Sequence, residues 1–314
     1  MLLALALACA TPEPAAPPVE EAPPLVKVRV ALNWYPEPEF GGYYAALVGG
    51  LYEKAGLDVE ILPGGPGAPV LEMLASGRAE VAVASAEDIL VRRSKGLDAV
   101  AVLPGLQDSP AGLLAHAGGP TSIADVRGRV AIEQGAPFHL FLAATHGWEG
   151  KVQVVPTTGT LGPFAADKDL VVQAFVTAEP CVAEAQGLAV TFLPARDSGW
   201  NPYASVATVR SGAVDAAWVK AFRDATVEGW KAYLEKPDEA NARIGSLNLN
   251  LSAPMLACIV KKQAPFVTGT DGVGAMRKER WDALAAALTT VGQPVTADGA
   301  WMDLSAPAPV NLAP

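Results

Sequence analysis

Residues 32–46 read Leu-Asn-Trp-Tyr-Pro-Glu-Pro-Glu-Phe-Gly-Gly-Tyr-Tyr-Ala-Ala, and no other stretch of the chain gathers so many groups suited to binding. Aromatic faces hold a flat organic ring, and carboxylates accept hydrogen bonds from ring amines. Asn33, Trp34, Phe40 and Tyr43 are therefore candidate ligand contacts. The segment leaves a short apolar strand (26–31) and runs straight into a helix, the place where an open α/β sheet presents its ligand crevice. Most such turns are a few polar residues, so the aromatic content points to a binder of a small aromatic molecule. The competing reading makes Trp34, Tyr43 and Tyr44 plain core.

Four other loops carry polar groups at strand ends. Ser85 precedes a helix over 86–94, where its hydroxyl serves a ligand or caps the helix. Gln107, Asp108 and Ser109 fall where the chain first changes lobe, as ligand contacts or as a hinge turn. Glu133, Gln134 and Gly135 open a helix that begins near Phe138, so their N–H groups are placed to receive an acceptor. Glu179 follows a buried strand, with Pro180 ready to start a helix; it faces a ligand or complements the helix dipole. The run Gly64-Gly-Pro-Gly-Ala68 imitates a dinucleotide fingerprint, but Val70 stands where Gly or Ala is needed and Pro66 and Pro69 intrude. A tight turn is the better reading. His116, His139 and His146 have no zinc-like spacing, and no catalytic signature such as Cys-x-x-Cys or Gly-x-Ser-x-Gly occurs. No cofactor, metal site or catalytic residue is expected.

The elements that position these loops alternate. Strands are expected at 26–31, 58–62, 81–84 and 99–103, with helices at 43–55, 69–77 and 86–94, so a parallel sheet with helices on its faces. The same grammar recurs at 112–116, 129–132, 152–155 and 171–176. Residues 200–209 form a strand returning to the first lobe, and from Val214 the pattern is helical. The expectation is an α/β, two-lobed fold with a ligand cleft and hinge: lobe one from 26–109 and 204–314, lobe two from 110–203.

The chain is 51% hydrophobic and 18% charged, as for a globular body, and its net charge of −10 argues against nucleic acid as a partner. Met1 to Ala8 is an apolar run before Cys9, the pattern that ends a bacterial lipoprotein signal, with Cys9 lipidated. Residues 10–25 are a proline-rich, disordered tether. The protein is then exported to the periplasm or cell surface and anchored to a membrane by lipid. Cys181 and Cys258 could pair, but nothing local favours it, and two buried thiols are expected.

Taken in order, Leu32-Asn-Trp-x-Pro with Gly-Gly-x-Tyr-x-Ala, Gly56-Leu-Asp-Val-x-Ile-x-Pro-Gly-Gly, Phe175-Val-Thr-x-Glu-Pro and Asn201-Pro-Tyr resemble one family. It is the thiamine-pyrimidine-precursor branch of the ABC-transporter solute-binding proteins, with the type II periplasmic-binding fold. The resemblance implies a monomer that closes over a small aromatic solute and docks on an ABC permease and ATPase complex. It also implies that Trp34 and Tyr203 sandwich a ring and that Glu179 accepts from an exocyclic amine. Relatives often carry His where this chain has Phe40, which suggests a more apolar pocket. A ligand-presenting receptor subunit, or a non-catalytic relative of the pyrimidine-synthesis enzyme, are the alternative roles.

Overall fold

The computed structural model describes residues 24–133 and 137–304. Cys9, the tether as far as residue 23, Gln134, Gly135 and the tail from 305 lie outside the described residues. The chain opens with β1 (Val26–Leu32), a 3-10 turn at Pro38–Phe40, α1 (Gly41–Val48), α2 (Leu51–Lys54), β2 (Leu57–Leu62), α3 (Val70–Ala75), β3 (Val81–Ala84), α4 (Ala86–Arg93) and β4 (Val100–Leu106). A second run holds β5 (Ala111–His116), β6 (Gly128–Ile132), α5 (Pro137–His146), β7 (Val152–Pro156), α6 (Gly162–Ala166), β8 (Val171–Phe175), α7 (Glu179–Ala185) and β9 (Val190–Pro194). Then come β10 (Ala204–Val209), α8 (Ala217–Glu235), α9 (Asp238–Leu247), α10 (Ala253–Thr268) and α11 (Lys278–Thr290).

The strands form two five-stranded sheets, ordered β2-β1-β3-β10-β4 and β7-β6-β8-β5-β9. The first therefore draws on both ends of the chain, and the second on its middle alone. Sequence patterning shows why each strand sits where it does. Val81-Ala-Val-Ala84 is apolar throughout and buried throughout, as a central strand must be. Leu57-Asp-Val-Glu alternates buried and exposed, which suits the sheet's rim.

Three expectations need correction. Neither sheet is purely parallel. β1 pairs in parallel with β2 and β3, but β10 runs antiparallel between β3 and β4. In the other sheet β5 is antiparallel to β8 and β9. The strands that cross between lobes enter each sheet from the far side, so they run backwards. The return strand begins at Ala204 rather than 200, because residues 200–203 instead bury Trp200 and Tyr203 against α5 and α11 residues. Last, Cys181 and Cys258 are joined in a disulfide, with Cα atoms 5.9 Å apart and 77 residues between them in sequence. So long a separation left no local signal.

Lobe one is held by the crossing of α1 on α8. Along α8, Val219, Phe222, Thr226, Trp230 and Tyr233 line the buried face, at the helical spacing. The Gly41-Gly42 pair is a packing device rather than a ligand contact. A Cβ on Gly42 would lie 2.3 Å from the Trp230 ring, and one on Gly229 would lie 2.2 Å from the Gly42 carbonyl oxygen. Only bare backbone allows this approach. No helix among the described residues is long and apolar enough to cross a membrane.

Candidate ligand-binding site

Three carboxylates from two lobes converge at the strand ends. Glu37 and Glu39 leave β1 on the loop ahead of α1, and Glu179 begins α7 at the end of β8. Glu39 accepts a hydrogen bond from Ser205 Oγ and another from Thr177 Oγ1 at 3.4 Å, the latter reaching across from the second lobe. Glu179 Oε2 accepts from the Phe175 backbone N–H at 2.7 Å. Burial pushes all three carboxyl groups above the usual carboxylate range. The charges of Glu39 and Glu179 raise Glu37 further, and that of Glu39 raises Glu179. Hydrogen bonds from Ser205 and Thr177 pull Glu39 back down. Like charges brought together in a buried place repel, and the folded chain carries that cost.

Ser205 is the strained member of the group. Its φ of 50° is the one positive value at a non-glycine position among the described residues. Left-handed backbone costs a residue with a Cβ on the order of 1–3 kcal/mol, and such outliers gather at functional sites. Two contacts over-determine it: its carbonyl oxygen accepts from Tyr43 Oη at 3.2 Å, and its hydroxyl is committed to Glu39. The register of β10 on β3, Val206 opposite Ala84, places Ser205 at the same sheet edge as Ser85. Leu32 opposite Val83 brings Asn33 there too. Asn33 Oδ1 is buried and has no hydrogen-bond partner, so an acceptor stands ready at this edge. Trp34 lies beside it, 43% exposed, with Tyr35 edge-on at 5.4 Å and 49% exposed. The Gly64 N–H donates to the Trp34 carbonyl at 3.0 Å, and a Cβ on Gly64 would collide with the Leu32 carbonyl oxygen at 1.9 Å. The glycine run after β2 is thus a brace for the Trp34 loop.

The remaining candidates divide. Ser85 caps α4, accepting from the Asp88 N–H at 3.2 Å. Burial and the neighbouring Asp88 charge push Glu87, on the same turn, up to about 8, against the hydrogen bond from Ser85. Glu133 is exposed, and its N–H donates to Gln173 Oε1 at 2.8 Å. Gln107 is fully buried at the crossing; its N–H bonds Phe266 O and its amide donates to Ala275 O at 3.0 Å. That is hinge architecture. Phe40 and Tyr43 are both fully buried in the lobe-one core. Phe40 therefore lines no pocket, and the expected apolar wall gives way to carboxylates. Tyr203 is also buried, with Arg280 stacked 4.3 Å over its ring, Trp281 beside it and its hydroxyl accepting from the Arg277 N–H. It offers no face for a sandwich with Trp34. Sequence reasoning counted the loop carboxylates, Glu37 and Glu39, as acceptors without naming either as a contact, and it missed Thr177 and Ser205. The Glu-Pro-Glu spacing was a usable signal for the first two; nothing marked Ser205, whose role comes from its backbone.

The chain belongs to the NMT1/THI5-like family, whose model matches residues 37–240. It is 26% identical over 317 residues to the riboflavin-binding protein RibY of Chloroflexus aurantiacus, covering 90% of this chain and 88% of that protein. It is 27% identical over 229 residues to a formylaminopyrimidine-binding protein of Halalkalibacterium halodurans, covering 69% of each. Among solved structures, the periplasmic aliphatic sulphonate-binding protein SsuA of Escherichia coli superposes with a TM-score of 0.69 at 16% identity, over 91% of this chain and 98% of that one. The desulfurization enzyme DSZB shares the fold at a TM-score of 0.59 and 15% identity, over 88% of this chain and 97% of that one. The architecture is the two-lobed periplasmic-binding-protein fold.

Proposed function

We propose that this chain is the substrate-binding protein of an ABC importer and captures a small nitrogen heterocycle bearing exocyclic amines or a positive charge. The convergence of Glu37, Glu39 and Glu179 from both lobes carries the reading. A cluster of acceptors under mutual repulsion gains most from a ligand that brings several N–H donors or a cation. An anionic sulfonate would add to the repulsion. The curated relatives' names favour a pyrimidine of the thiamine-precursor type or a flavin-like vitamin. In this reading Trp34 covers one face of the ring, the Asn33 oxygen accepts a further donor, and no chemistry follows binding. Export, a lipid on Cys9 and docking to a permease and ATPase complete the role.

Native mass spectrometry of the protein as purified tests the ligand, because a retained solute would appear as a discrete added mass. A bound sulfonate, or calorimetric preference for one over an aminopyrimidine, would overturn the assignment. Trp34→Ala should weaken binding by on the order of 1 kcal/mol, about fivefold, the worth of an aromatic pair beyond its burial. Because Trp34 is 43% exposed, Tm should stay within a degree or so of the parent. The anchor has its own check. Protein extracted from the native host's membrane should carry a diacylglyceryl mass on Cys9, and a soluble product retaining Met1 would end that part of the proposal.

A further inference from the structure

We infer that the Cys181–Cys258 disulfide is a thiol-exchange site that latches the two lobes together, so that its redox state sets how far the cleft opens. The bond joins one firmly held element of each lobe. α10 belongs to the first: Leu256, Val260, Phe266 and Val267 are buried in the lobe-one core, and Gln263 Nε2 donates to Pro38 O at 2.8 Å. At its far end the Phe266 carbonyl accepts from the N–H groups of Gln107 and Asp108, at the crossing between lobes. α7 belongs to the second, where Ala183 packs with Leu114, Val172 and Ala174.

Cys181 stands two residues after Glu179, and Gln263 grips the loop that carries Glu37 and Glu39. The bridge therefore ties together the two supports of the carboxylate cluster. Noncovalent contacts cross here as well: Arg196 stacks 4.2 Å over the Phe266 ring of α10, and Val176 packs into the lobe-one core. Lys262 Nζ pairs with Glu184 Oε1 at 2.7 Å where Glu184 is half exposed, and exposed ion pairs contribute little. Thr177 reaches Glu39 only at 3.4 Å. Closure in two-lobed proteins is a rotation about the crossing strands, and a covalent bond beside the cleft restricts that rotation.

The bridge is reachable from one side. Cys181 is buried, whereas Cys258 is partly exposed, with Glu184 Oε2 3.4 Å from its sulfur. A dithiol reductant supplies the electrons. One of its thiolates attacks Cys258 Sγ; the sulfur–sulfur bond breaks, and Cys181 leaves as a thiolate that takes up a proton. The reductant's second thiolate then attacks its own sulfur in the mixed disulfide and releases Cys258, which is protonated in turn. Two electrons enter the protein, and the reductant departs as a disulfide.

The inference rests on the fold and not on the nature of the solute, so its test uses ligand-free protein. Small-angle scattering should give a larger radius of gyration after treatment with dithiothreitol, and for the Cys181→Ser/Cys258→Ser variant, than for the oxidised parent. Removing the reductant under oxidising conditions should restore the parent's value and leave the variant expanded. Lys262→Met in the oxidised protein should scatter like the parent. Near-UV circular dichroism reports folding in parallel. Identical radii in both redox states of folded protein would overturn the latch. Loss of the near-UV signal on reduction, in parent and variant alike, would overturn it too, since the bond would then be a plain structural staple.

Discussion

Glu179→Gln should bind ligand roughly ten- to a hundredfold more weakly than the parent while melting at a higher temperature at pH 8. The binding loss follows from removing a charged acceptor, worth about 1.5–3 kcal/mol where the partner is a hydrogen-bond donor. The gain in stability follows from the raised carboxyl. A group whose folded-state pKa lies above its unfolded value holds its proton more tightly when folded. Its favourable contribution is complete below the unfolded value, near 4.3, and is lost as pH rises through the folded one. Gln stays neutral at every pH and keeps an oxygen for the Phe175 N–H. The Tm difference should therefore be positive at pH 8 and vanish near pH 4. Glu87→Gln should show the same sign over a window reaching about 8. Calorimetric titration and melts at two pH values decide the matter. A variant that loses stability at pH 8 would show the Glu179 carboxylate to be structural.

Gly42→Ala should destabilise the protein by about 3 kcal/mol or more, the upper part of the range for overpacking. Intrinsic helix propensity alone predicts the opposite, a gain of about 1 kcal/mol for Ala over Gly. The added methyl would meet the Trp230 ring at 2.3 Å. That ring is fully buried and backed by Tyr233, edge-on at 5.9 Å, so it has nowhere to turn. Urea unfolding followed by tryptophan fluorescence gives the value directly. An unchanged or higher midpoint would show that α1 can shift off α8.

Much of the fold is legible in the sequence. Apolar runs and their punctuation located β3 and placed β1, β2, β6 and β7 to within a residue or so, because strand periodicity and glycine stops are local signals. β9 and α6 passed unnoticed. Direction was not legible, since an apolar strand reads the same whether its neighbour runs with it or against it. At the site, Trp34 and Glu179 stood out by type and by position after a strand. Tyr43 and Tyr203 stood out equally, yet both are buried, since an aromatic at a strand end serves the core or a ligand with the same chemistry. The Cys181–Cys258 bond and the Ser205 strain depend on elements far apart in sequence meeting in space.

The place of β10 has a consequence for how the chain acquires its shape. In the first sheet β4 pairs with β10, and its other edge makes an isolated bridge from Ala101 to Trp301. A strand completed by residue 106 therefore waits for residues 204–209 before it has a pairing partner. The second sheet needs nothing outside residues 111–194. During synthesis from the N-terminus, the middle of this protein can finish first. Its beginning stays incomplete, with an apolar strand unpaired, until nearly two-thirds of the chain has emerged.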